Sequence, residues 1–195
     1  MRRAFEAMGG GTEQLFEELV RVNRGSISSK EAIHQFCQKN GYSKEILEAG
    51  IESLWDSLDR EIPIERVAGA LKLLDELQGV CPIALVTMGR EAFQFEKMEK
   101  AGIQQGKFSK LIVGEGPSKK MDYQRVADAF GLPASEGIIC GDRVPIDLSP
   151  GRELGMTTVH FRNGRGLVHN EPREDVDRSI DSLEEIQRLV AQRIV

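Results

Sequence analysis

Apolar residues recur at helical spacing through the first third of the chain and then in short uninterrupted runs, and that change of period divides the sequence. Leu15, Phe16, Leu19 and Val22 form one stripe behind Thr12, which can cap it. Ile33, Phe36 and Cys37 form a second stripe behind Ser28 and Glu31, spaced as a capping box, and Asn40-Gly41 stops it. A third helix after Ser43 carries Ile46, Leu47, Ile51, Leu54, Trp55 and Leu58, with Trp55 read as core. The segment Asp59 to Pro63 breaks this pattern and reads as a hinge. Pro63 suits the first turn of a new helix carrying Val67, Leu71, Leu74 and Leu77.

Beyond that point strands and helices alternate. Strands are expected at Ile83 to Val86, Leu111 to Val113, Gly137 to Cys140 and Thr157 to Phe161. The helices between them are expected at Glu91 to Ala101, Tyr123 to Phe130 and around Gly151 to Leu154, closed by Gly102, Gly131 and Gly155. Such βαβ repetition implies a parallel sheet with right-handed crossovers. A last amphipathic helix, capped near Asp181-Ser182, would cover one sheet face through Leu183, Ile186, Leu189 and Val190, and Arg162 to Pro172 reads as an exposed loop. The expected fold class is therefore α/β, a Rossmann-like parallel-sheet core at residues 67–195 carrying an N-terminal helical subdomain at residues 1–66.

Composition narrows the partners. The 195 residues are 40% hydrophobic and 29% charged, with 26 basic and 31 acidic residues intermixed for a net charge of -5. No basic field favours nucleic acid, and no apolar run is long enough to span a bilayer. A cytoplasmic protein is the expectation. Cys37, Cys81 and Cys140 lie in apolar settings, an odd count that suits a reducing compartment, and are read as buried thiols. The scatter of His34, His160 and His169 suggests no zinc site.

The chemistry gathers where strands end. The run from Gly137 to Asp147 is a short apolar strand followed by Gly141-Asp142 and, five residues on, Asp147. Ligands in open α/β sheets bind beyond the carboxyl ends of the strands, and Mg²⁺ takes one or two carboxylates with water and phosphate. Asp142 could equally be a turn residue. Thr87, with the amides of Met88 and Gly89 beside it, stands where a strand turns into a helix and can meet a phosphate, or can serve as an ordinary cap. Lys119 and Lys120 precede the next helix, where one ammonium could face the same phosphate or both could be solvated.

The order Thr87, Lys119 or Lys120, then Gly141-Asp142 with Asp147, each after a strand, resembles the haloacid dehalogenase-like hydrolases. Their second motif is a strand-terminal Ser or Thr, their third a Lys before a helix, and their fourth an acidic pair of GDxxxxD type. Arg143 and Leu154 to Val159 extend the likeness. The helices before the core look like the inserted cap of the phosphoglycolate phosphatase-like branch. The resemblance implies a Mg²⁺-dependent phosphatase for a small phosphorylated metabolite: Asp142 on the metal, Asp147 orienting its water shell, Thr87 and a lysine on the phosphoryl group.

Two departures stand out. Met88 occupies a position where asparagine is common, and the family's first strand, ending in a DxD motif whose first aspartate is the nucleophile, is absent; its natural place is upstream of Met1. Asp56, Asp59 and Asp75 lie on or beside helices and are no substitutes. The chain as it stands is thus expected to be inactive, and the alternative is a phosphate- or partner-binding pseudoenzyme on the same fold. In the family the first strand lies between those ending at Thr87 and Asp142, so its omission leaves two unpaired inner edges. Such edges favour pairing with another chain, a homo-oligomer included.

Overall fold

A computed structural model describes residues 1–26, 28–54, 64–116, 118–168 and 173–194. The chain divides into two compact units, Met1–Ser57 and Leu58–Val195. The sequence places this boundary after residue 66, on the far side of residues 55–63. Those residues, with Trp55, Asp56, Asp59 and the expected hinge to Pro63, lie outside the described part, as do His169 and Pro172.

The first unit is helical: α1 (Arg2–Ala7), α2 (Glu13–Gly25), α3 (Ser29–Lys39) and α4 (Lys44–Ser53). Thr12 accepts from the Leu15 amide at 3.3 Å and Ser28 from the Glu31 amide at 3.1 Å, so orphan helix-start donors find partners where expected. The capping box is only half made. Glu31 turns along its own helix to accept from Gln35 at 3.0 Å. Inside, Ala4, Phe5, Met8, Leu19, Ile33, Phe36 and Cys37 are buried together.

The second unit is α/β with all strand pairs parallel. Its elements run α5 (Ala70–Leu77), β1 (Ala84–Met88), α6 (Glu91–Lys100), β2 (Lys110–Gly114), α7 (Lys120–Phe130), β3 (Ile138–Gly141), α8 (Ser149–Arg152), β4 (Thr157–Phe161), β5 (Arg178–Ile180) and α9 (Glu184–Ile194). The helix expected from Pro63 begins instead at Ala70. Gly69 precedes it at φ +78, a left-handed backbone that ends any earlier helical path, and Val67 is exposed. The polar stretch after β4 is not wholly a loop: a 3₁₀ turn at Gly164–Leu167 buries Gly166. The strand β5 carries two exposed residues out of three and gives no apolar run to read.

The strands form two sheets, β1-β2 and β3-β4-β5. Register pairs Val86 with Ile112 and Cys140 with Val159. Leu77, Val159, Ile180 and Ile186 pack one core, while Tyr123, Ile139, Val144, Leu148 and Met156 pack another that Val86 joins from β1. Among the described residues β1 and β3 share no ladder. Every residue of β1 is half-buried, unusual for a continuous apolar strand in a parallel sheet. Cys140 is exposed, which corrects the expectation of a buried thiol: among the described residues β3 is an edge strand, paired only with β4. Cys37 is buried and Cys81 half-buried.

Candidate active site

Gly141 ends β3, and the chain then makes one wide π-helical turn, Val144–Leu148, which carries Asp147 back over the strand end. A glycine is required there by close approach: a Cβ on Gly141 would overlap the Asp147 side chain, with its Cγ 2.9 Å away. Folded back in this way, Asp147 is buried and its oxygens are shared. Oδ2 accepts from the Arg143 amide at 3.0 Å, and Oδ1 accepts from Lys119 Nζ at 2.7 Å.

Lys119 is the residue before α7 and is buried with Asp147. Its ammonium also donates to the Val86 carbonyl at 3.0 Å, so one cation joins β1 to the turn after β3. Burial of a charge is tolerated only when it is paired and hydrogen-bonded, and here both partners are in place. Lys120 points elsewhere, to Glu153 at 2.7 Å on the surface. The structure thus separates two lysines that the sequence left equivalent, and Lys120 is removed from the strand ends.

Asp142 is half-exposed at the mouth of the site, with Arg143 Nε 4.0 Å from its carboxylate and 3.7 Å from that of Asp147. Thr87 is the penultimate residue of β1, half-buried, not the cap of the helix that follows; that position belongs to Arg90. The Gly89 amide is unavailable to a phosphate because it donates to the Gly114 carbonyl at 3.2 Å and extends the ladder. The Met88 carbonyl accepts from Gln94 at 2.9 Å.

Two supporting residues escape sequence reading. Tyr123 donates to the Asp147 carbonyl at 2.9 Å, and burial, then the nearby Asp147 charge, push its phenol well above the ordinary range. His160 is buried, and its ring donates to the Asp142 carbonyl; burial holds it below its usual pKa, so it is neutral at pH 7. Its Nε2 has no partner among the described residues, which assigns the proton to Nδ1. Neither carries a local signal, since each acts across more than a helix of intervening chain.

Among the described residues no group of three or more His, Cys, Asp and Glu could hold a metal ion by itself. A cavity of about 610 Å³ lies away from the strand ends, around Arg66, Val67, Gly69 and Lys100. Gly141→Ala is expected to cost about 1–3 kcal/mol by overpacking and to push Asp147 off Lys119. Urea unfolding measures it, and a cost within about 0.5 kcal/mol, as at ordinary surface sites, would mean that Asp147 swings clear at will.

These features gather at the strand ends of a Rossmann-like α/β fold. The chain belongs to the haloacid dehalogenase-like hydrolase family, whose profile matches residues 2–155. It is 32% identical over 125 residues to a glyceraldehyde 3-phosphate phosphatase of Methanocaldococcus jannaschii, covering 62% of this chain and 54% of that protein. The chain spans about half the length of the curated relatives it matches. In fold it is similar to the magnesium-bound putative HAD-hydrolase YfnB of Bacillus subtilis, at TM-score 0.68 and 18% identity over 96% of this chain and 87% of that one. A HAD phosphatase of Thermococcus onnurineus aligns at TM-score 0.59 and 18% identity, over 96% and 85%.

Proposed function

We propose that this chain carries the phosphate- and metal-handling part of a Mg²⁺-dependent phosphatase for small phosphate esters, with the helical unit as its cap. The observation that supports it most is the buried Lys119 ammonium, fixed by the Val86 carbonyl and the Asp147 carboxylate where β1 and β3 end. A pre-placed cation there stabilises charge on a transferring phosphoryl group without reorganising. The names of the curated relatives favour a substrate of triose-phosphate size.

In this reading the Thr87 hydroxyl and the Met88 amide orient the phosphoryl oxygens. Asp142 is the residue that would hold Mg²⁺, being half-exposed directly after β3. One carboxylate with waters and substrate phosphate suits Mg²⁺, and the sparse donor set makes the site weak. When bound, the ion neutralises charge on the phosphoryl oxygens. Asp147 positions the Lys119 ammonium, which it accepts from at 2.7 Å, and its remaining lone pairs would orient the metal's water shell.

In this reading Asp142 and Asp147 serve the metal and Lys119 and neither is the nucleophile, so the 195-residue chain should bind without turning over. Calorimetry is expected to show weak Mg²⁺ binding that Asp142→Asn abolishes, and p-nitrophenyl phosphate with Mg²⁺ to stay unhydrolysed. Equal Mg²⁺ affinity in the two forms would sink the metal assignment. Hydrolysis lost in Asp142→Asn would show that a nucleophile is present after all.

A further inference from the structure

On the outer flank of the β3-β4-β5 sheet lies a cavity of about 390 Å³, lined by all of β5 and by Glu185, Arg188, Leu189 and Gln192 of α9. Successive side chains of a strand point to opposite faces, so Arg178 shares a face with Ile180. Ile180 is buried against Ile186, with Leu189 packed beside them, which puts Arg178 on the face that α9 covers. Arg188 and Gln192 stand four residues apart on one side of that helix and line the same cavity. None of these residues belongs to the strand-end site.

The charges here are one-sided. The acids that flank β5 in sequence are already used, Asp177 by Arg152 and Asp181 by Arg162. Glu185 is the only acid in the lining, and its Oε1 accepts from the amides of Asp181 and Ser182 at 3.1 and 3.2 Å. Arg178 and Arg188 are exposed, and among the described residues neither forms an ion pair. The strand adds hydrogen-bonding groups of its own. The Ile180 carbonyl accepts from the Arg162 amide at 2.9 Å, so even-numbered residues of β5 turn their backbone groups to β4 and Ser179 turns its N–H and C=O outward. One outward residue is too little edge for an added strand, since strands usually run to about 3–10 residues. It can serve a small molecule.

We propose that this flank is a second anion site, which takes the phosphate group of a small phosphorylated polyol. A guanidinium fork meets phosphate oxygens through paired N–H donors, and two forks from different elements match a group that carries close to two negative charges at pH 7. The cavity falls within the range of about 300–1,000 Å³ that takes a whole small molecule, so the ligand extends beyond its phosphate. The Gln192 amide, the Ser179 hydroxyl and the outward Ser179 backbone groups suit hydroxyls, and half-buried Leu189 gives the carbon skeleton an apolar contact. Occupancy needs neither Asp142 nor Lys119.

The test is an NMR titration of the full chain with glycerol 3-phosphate, inorganic phosphate and succinate. Glycerol 3-phosphate should give saturable shifts at the amides of Ser179, Arg188 and Gln192, with inorganic phosphate bound about threefold and succinate about tenfold more weakly. Arg178→Gln and Arg188→Gln should each weaken the ester about tenfold, and Arg178→Lys, which keeps the charge and loses the fork, about threefold. All three variants change exposed residues and should keep the urea midpoint. The amides of Thr87 and Met88 report the strand ends in the same spectra and should respond alike in every variant. No saturable shift on this flank, unchanged affinity in both glutamine variants, or succinate or inorganic phosphate bound as tightly as the ester overturns the proposal. A response confined to Thr87 and Met88 overturns it too and leaves the strand-end reading standing, whereas a response confined to the flank removes that reading and upholds this one.

Discussion

Lys119→Met is expected to destabilise the strand-bearing unit by about 3–5 kcal/mol, because it strands the buried Asp147 carboxylate without its cation. The Arg143 amide at 3.0 Å still holds one oxygen, which favours the lower end of that range. Lys120→Met, one residue on, should cost at most about 1 kcal/mol, since its partner Glu153 is exposed and the pair is screened by solvent. The double change Lys119→Met with Asp147→Leu should recover much of the loss by removing both charges together. Urea unfolding of the four proteins measures this. Similar costs for the two lysine variants would mean that Lys119 is solvated and that the proposed phosphate-facing cation is misplaced.

That contrast also marks how far the sequence could be read. Both lysines precede the same helix, and which one turns inward depends on the phase at which α7 leaves its loop, a tertiary outcome that no local pattern encodes. The strands were legible because continuous apolar runs between turn residues have few other uses, and Thr12 and Ser28 were legible as caps because their chemistry is local. The start of α5 was not, since the apolar spacing through Val67 continues past Gly69, whose left-handed backbone overrides it. Gly89 was misjudged for a related reason: the ladder runs further than the apolar run that announces it, and takes the amide expected to meet a phosphate. The roles of Tyr123 and His160 rest on contacts between distant segments, where sequence spacing carries no information.

In the helical unit, Phe36→Ala should cost about 3–5 kcal/mol. Phe36 has no exposed surface and sits 6.4 Å, edge-on, from the Phe5 ring and 5.8 Å from that of Tyr42. Ring pairs of this kind add about 0.5–1.5 kcal/mol to the burial itself. Exchange of α3 amides should accelerate on the order of a hundredfold or more, as each 1.4 kcal/mol is a factor of ten. A change below tenfold would show that the surrounding side chains collapse into the space left by the ring.

The division of the strands into two sheets bears on how quickly the chain can reach this state. Among the described residues a strand pairs only with the next one along the chain, β1 with β2, β3 with β4 and β4 with β5. No ladder has to wait for a distant segment to return, so the loop-closure entropy that slows parallel sheets is kept to single crossovers. Each ladder can form early, and the longer reaches, from Lys119 to Val86 and Asp147 and from Leu77 to Ile180 and Ile186, follow as a docking of strands already paired.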